Sequence, residues 1–224
     1  MYDIVFISYN ELNAEENYAK LKERFPLAKR VNGVKGIHQA HIAAAKKAFT
    51  PMFWVVDGDA EILDTFKFDH VASEWDQDVV HVWRSQNPEN GLTYGYGGVK
   101  LLPRKLTLDM DVNSVDMTLA ISNKFKAMDE ISNITAFNTD PFSTWRSAFR
   151  ECCKLSLKDD LESGLRYGAW VSLGSDISIA GALAGAKYGR ENASNPEALL
   201  KINDFDWLMS QYQQTPKPWE ISQQ

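Results

Sequence analysis

Two carboxylates flank a single glycine at the end of an apolar run: Phe53 to Ile62 reads FWVVDGDAEI. Asp57 and Asp59 at that spacing can hold a hard divalent cation, Mn2+ or Mg2+, through oxygen ligands, and such a cation neutralises a diphosphate. Gly58 between them lets the backbone approach a ligand closely. The same three residues also suit a plain polar turn after a buried strand, because Asp and Gly are common turn formers. Two further polar clusters lie upstream, SYNE (residues 8–11) and NGVKG (residues 32–36). Lys35 stands just before a helix whose N-terminus attracts anions, so it suits a phosphate. His38 and His41 are three apart on one helical face. That spacing is compatible with a metal pair; a core-edge or nucleotide-contacting role is the simpler reading.

These clusters need a scaffold that brings them to one place, and the first sixty residues supply one. DIVFIS (Asp3 to Ser8) is a nearly continuous apolar run, as in a strand buried on both faces. A helix follows, with Asn13 and Glu16 as its cap and reciprocal acid, and with Tyr18, Leu21 and Phe25 on one face. Pro26 stops it. Then come a short strand AKRV, the NGVKG turn, a helix IHQAHIAAAKKAF, and a third buried strand MFWVV that delivers Asp57. Strands alternating with helices imply right-handed crossovers and a parallel sheet. Ligands of such sheets bind beyond the carboxyl ends of the strands, so all three polar clusters are expected on one edge.

Downstream, DVVHVWR (78–84) reads as a strand and NPENG (87–91) as a turn. YGYGGVKLLPR (94–104) reads as a glycine-rich approach to another strand, and residues 107–118 as an acidic loop. Gly97 and Gly98 permit close backbone approach to a ligand, and Tyr94 and Tyr96 offer flat faces and hydroxyls; a glycine-distorted strand with surface tyrosines fits equally. TDPFSTWRSAFRECCKL (139–155) is a helix with Asp140 as cap and Pro141 as its first residue. Arg146 and Arg150 share one face of it and can bind phosphate bidentately or pair with acids. A second helix runs from Ser175 or Asp176 to Gly189, and a last one spans NPEALLKINDFDWLMSQY before a polar tail from Gln213.

FWVVDGDAEI, third in a parallel run, resembles the nucleotide-sugar-dependent glycosyltransferases of the GT-A type. The resemblance implies an α/β fold: a GT-A-like, Rossmann-type three-layer arrangement with a central, mostly parallel sheet flanked by helices. It implies one domain over 1–224, with a nucleotide-sugar-binding half (1–105) and an acceptor-side half (106–224). Ser8, Asn10, Glu11, Asn32, Gly33, Lys35 and His38, with Asp57, Gly97 and Gly98, would then hold the nucleotide-sugar, a UDP-linked one. Asp57 and Asp59 would hold Mn2+ or Mg2+ on its diphosphate. Tyr94, Tyr96 and Arg146 would meet the acceptor. Asp140, ahead of Trp145 and Arg146, takes the place of the general base of inverting relatives, with Asp116 as second candidate. RVNGVKGIHQAH, YGYGGVKLLPR and WRSAFRECCKL add a similarity to bacteriophage glycosyltransferases, some of which decorate hydroxymethylated pyrimidines of DNA. For such an acceptor, Trp83, Tyr94 and Tyr96 with Arg84, Lys100, Arg104 and Lys105 make an aromatic and basic strip. One departure is plain: the last histidine is His81, so no late histidine completes a metal shell, and Asp176 is a candidate to stand in.

Composition narrows the alternatives. The formal charge is -6, which argues against electrostatic wrapping of nucleic acid, although residues 1–50 carry +3 against -9 for the rest. The two cysteines, Cys152 and Cys153, are neighbours, so no disulfide framework is expected and a reducing cytoplasm fits, the host's if the chain is phage-encoded. No apolar run approaches the ~20 residues of a membrane span, and the N-terminus lacks a signal-peptide pattern. There is no Walker loop, zinc spacing or Ser-His-Asp set. Glycosyl transfer to a glycan or protein, a non-catalytic nucleotide or nucleic-acid binding module, and nucleotidyl transfer remain the alternatives.

Overall fold

The computed structural model describes residues 1–95 and 97–216. Tyr96 and the end of the polar tail, residues 217–224, lie outside the described residues. The chain is α/β and divides into two compact units, residues 1–87 with 93–136, and residues 88–92 with 137–224.

Among the described residues the first unit has eight strands: β1 (Asp3–Ser8), β2 (Lys29–Asn32), β3 (Met52–Asp57), β4 (Ala60–Ile62), β5 (Val80–Gln86), β6 (Thr93–Tyr94), β7 (Val99–Pro103) and β8 (Phe125–Thr135). Their order is β2-β1-β3-β7-β5-β8-β4, with β6 beside β5. β1 pairs in parallel with β2 and β3, and β5 with β8, whereas β7 runs antiparallel between β3 and β5. The sheet is therefore mixed and not the mostly parallel one expected: beyond β3 the chain returns through antiparallel β7, β6 and β4. Four helices accompany it: α1 (Ala14–Arg24), α2 (Ile37–Lys47), α3 (Arg104–Leu108) and α4 (Met117–Ile121).

The alternation along each strand explains the continuous apolar runs. Ile4, Phe6, Trp54, Val56 and Trp83 point to one face, where they meet Leu21 of α1 and the rings of Phe66 and Phe68. Val5, Ile7, Phe53, Val55 and Val82 point to the other, against Ala44 and Ala45 of α2 and Met117 of α4. A strand covered on both faces has no polar side to show. Trp54 anchors the first face, with Trp83 at 4.5 Å and Phe68 at 5.2 Å between ring centroids.

Asn13 does not cap α1 through its side chain. Its amide donates instead to the Ala136 carbonyl at 3.0 Å, and Glu16 pairs with Lys20 at 2.8 Å. β8 was not anticipated. Its first seven residues are exposed or half-buried, and two register shifts against β5 break the alternation that would mark it.

The second unit is helical: α5 (Pro141–Leu155), α6 (Leu161–Ser172), α7 (Asp176–Glu191), α8 (Pro196–Leu200) and α9 (Phe205–Gln214). Asp140 accepts from the Ser143 amide at 2.9 Å and Pro141 opens α5, as expected of that cap. α7 lies close along α5: a Cβ on Gly181 or Gly185 would stand 2.4 Å from the Trp145 carbonyl oxygen and 2.0 Å from that of Phe149. The expected single last helix is two, because Asp204 accepts from the Asp206 and Trp207 amides and starts α9 afresh. Cys152 and Cys153 are free and buried; burial raises both thiols, that of Cys153 to about 11. Among the described residues, no helix is long and apolar enough to cross a membrane.

Candidate functional site

Parallel pairing sets Ile7 opposite Asp57 and Ser8 opposite Asn32, so the ends of β1, β2 and β3 share one edge. The Ser8 hydroxyl donates to the Asn32 side-chain oxygen at 2.8 Å and accepts from Arg30 Nε at 3.0 Å. The Gly33 amide donates to the Ser8 carbonyl at 3.0 Å. Arg30, whose side chain is only partly exposed, is braced from the other side by Glu15 at 2.7 Å, which holds the Glu15 carboxyl below its ordinary range.

Gly58 is the point of closest approach. A Cβ there would lie 2.7 Å from Glu11 Oε2 and 3.1 Å from Ser8 Cβ, so the SYNE loop packs directly on the backbone between Asp57 and Asp59. Glu11 Oε2 accepts from the Tyr9 amide at 2.7 Å, and buried Asn17 of α1 donates to the Gly58 carbonyl at 3.0 Å. The Asp59 carbonyl accepts from the Ala136 amide at 2.7 Å. The Asp-Gly-Asp segment is thus bound at each residue, because the Asp57 amide also donates to the Gly98 carbonyl at 2.9 Å.

The two carboxylates have different surroundings. Lys100 of β7 places its ammonium 2.8 Å and 2.9 Å from the two oxygens of Asp57, and also donates to the Gly97 carbonyl. The Lys100 side chain is 3% exposed and that of Asp57 is 32% exposed. Asp57 is therefore charge-compensated from inside the sheet. Asp59 is half-buried on the other side of Gly58.

The paired glycines serve this arrangement. Gly97 adopts φ of 92°, a left-handed conformation that turns its carbonyl to Lys100. Gly98 is buried, and a Cβ on it would meet Asn133 Nδ2 at 2.4 Å. Asn133 accepts from Ser85 and Ser132, each at 2.8 Å, and donates to Thr135 at 3.2 Å. Gly98 is thus packed against a buried polar network.

The remaining candidates fall as follows. Asn10, Asn32, Gly33 and Lys35 are exposed along the edge. His38 is 4% exposed and His41 is fully buried; burial lowers both imidazoles, His41 furthest, helped by the Lys100 charge. Asp116 caps α4, accepting from the Thr118 amide at 2.9 Å. Tyr94 is 5% exposed and so turns no open face to solvent, while Tyr96 lies outside the described residues. Asp140 and Arg146 belong to the second unit, where the Arg146 guanidinium sits over the rings of Phe205 and Phe142 at 5.2 and 5.8 Å.

The expected aromatic and basic strip is not one surface: Trp83, Tyr94 and Lys100 are buried, Arg104 is half-buried, and Arg84 and Lys105 are exposed. Arg84 pairs with Asp129 at 2.8 Å, and Arg104 donates to the Ala45 and Ala48 carbonyls. Lys100 neutralises Asp57 instead. Three residues of the edge escaped the sequence reading: Asn17, Arg30 and Asn133. Lys100 was seen but misplaced, although a charge inside the apolar strand VKLLP is the mark of a buried pair.

Asp57, expected as a metal ligand beside Asp59, has both oxygens held by Lys100 instead. Glu11 Oε2 lies against Gly58, and Asp59, next in the chain, is half-buried, so two hard oxygen donors of this edge are not held by Lys100. Among the described residues no three His, Cys, Asp or Glu side chains form a ready metal cluster. Ions such as Mg2+ need none, being held by one or two carboxylates together with substrate phosphates. In comparisons with known proteins, no family model and no curated protein matches the chain.

Proposed function

We propose that the chain is a nucleotide-sugar-dependent glycosyltransferase of the GT-A type, with its donor at the carboxyl edge of β1, β2 and β3. The observation that carries this reading is the Asp57-Gly58-Asp59 segment, packed on the Ser8–Glu11 loop and locked by buried Lys100. Open α/β sheets bind ligands at that edge. Asp59, with Glu11 beside Gly58, would hold Mn2+ or Mg2+, which when bound supplies positive charge to the departing nucleoside diphosphate. Asp57 would accept from a donor hydroxyl; held on two oxygens by Lys100, it keeps one orientation. Asn32 and exposed Lys35 would line the nucleotide, Lys35 near the start of α2.

An inverting course needs a base within hydrogen-bond reach of the acceptor hydroxyl. Asp140 and Asp116 are the two candidates. The acceptor proposed is a hydroxymethylated pyrimidine in DNA, with a glycan or protein hydroxyl as the other class. The test is nucleoside diphosphate release from UDP-sugars with plain or hydroxymethylated DNA present. Release that ignores DNA moves the acceptor to the second class, and binding of UDP without turnover identifies a non-catalytic nucleotide module.

A further inference from the structure

The opposite edge of the same sheet carries a surface that donor chemistry does not use. Trp75, on the 3-10 turn Glu74–Asp76, is 88% exposed. It borders an open depression of about 450 Å3. Pro51 precedes β3 and Pro103 ends β7; the pairing of Met52 with Pro103 puts both at this edge, and they line the depression with Leu106. β3 is six residues long, so at ~3.3 Å per residue the depression lies roughly 15–20 Å from Asp57.

Its charges balance. Two acids, Glu74 and Asp78, and two bases, Lys105 and Lys124, line it, and Lys124 pairs with Asp78 at 2.5 Å. A phosphate-bearing ligand gains little from a surface without net positive charge. A neutral ring with many hydroxyls gains more. Its C–H face stacks on the indole, and its hydroxyls donate to the carboxylates and to the Gln77 side-chain oxygen, the Gln77 amide nitrogen being held by the Ala72 and Ser73 carbonyls at 3.2 Å each.

We infer that this depression is a binding subsite for a neutral saccharide, one pyranose stacked on Trp75 with its hydroxyls held by Gln77, Glu74 and Asp78. The site does not depend on the glycosyl-transfer reading, because it shares no residue with the Asp57–Asp59 edge.

The test is a titration of the full-length 15N-labelled protein with maltohexaose, cellohexaose, chitohexaose and the oligonucleotide dT12, followed by NMR. The chain has seven tryptophans, so the Trp75 indole signal is identified by its disappearance in Trp75→Phe. At least one of the three saccharides should shift that signal saturably, with a Kd on the order of 1 mM. Trp75→Ala should weaken binding at least about fivefold, and its remaining spectrum should stay native because the side chain is exposed. Asp59→Ala should bind as the wild type does. The inference is overturned if none of the three saccharides shifts Trp75, if Trp75→Ala binds equally well, or if dT12 alone produces the shift.

Discussion

Removing the Asp57 charge should cost more stability than removing its partner. The Lys100 side chain is 3% exposed and its ammonium meets both Asp57 oxygens, whereas Asp57 is 32% exposed. Asp57→Asn strands a buried ammonium with the Gly97 carbonyl and one amide oxygen, a loss of about 3–5 kcal/mol. Lys100→Met leaves a carboxylate that water can partly hydrate, a loss of about 1–3 kcal/mol. The double variant buries no unpaired charge, so it should be more stable than Asp57→Asn alone, with a coupling energy of about 2 kcal/mol. Urea unfolding at neutral pH reads all three values, and the Asp57→Asn loss corresponds to roughly 6–20 °C in Tm. Hydrogen exchange of the β3 and β7 amides, which pair from Met52–Pro103 to Val56–Val99, reports the same loss locally. An Asp57→Asn protein within about 0.5 kcal/mol of wild type, or strictly additive single losses, would refute the argument.

Four further outcomes are expected. Gly58→Ala should cost only about 1 kcal/mol, since the Glu11 side chain can swing away, yet weaken UDP binding about tenfold or more by calorimetry. Gly185→Ala sets its Cβ against a backbone oxygen at 2.0 Å that cannot swing, so the melting curve should show a loss of about 3 kcal/mol. Asp140→Ala should lose about 1 kcal/mol of cap stability; Asp140→Asn retains a good cap, so an inactive but stable Asn variant identifies the base, and a fully active one excludes it. All four histidines are pushed below their ordinary value, with burial the largest cause. A depressed imidazole binds its proton in the unfolded chain first. Stability should therefore be complete above the unfolded value and fall as pH drops below it toward the folded value. For fully buried His41 the slope is up to about 1.4 kcal/mol per pH unit, and the urea midpoint of His41→Gln between pH 7.5 and 5 should move less than that of wild type.

The strands that carry the candidate site were legible because both their faces are covered. β1 and β3 read as unbroken apolar runs, and the polar residues that end them mark the edge. The cap of α5 was legible for a similarly local reason, since Asp140-Pro141 satisfies the helix start by itself. What escaped depends on partners distant in sequence. Asn13 looked like a cap, but a carbonyl 123 positions away takes its amide. Gly98 looked like room for a sugar, but Asn133 of β8 fills the space a side chain would need. β8 itself shows no clean alternation because one half is exposed and the register slips. Lys100 looked like a surface base until the antiparallel pairing of β7 with β3 set it beside Asp57.

The central claim is tested most directly by nucleoside diphosphate release from a panel of UDP-sugars, measured with Mn2+ and with EDTA, in the wild type and in Asp59→Ala, with plain and hydroxymethylated DNA offered as acceptors. Release that requires the metal, is abolished by EDTA and is lost in Asp59→Ala is the predicted result. Absence of release with every donor, or undiminished release from Asp59→Ala, would contradict it.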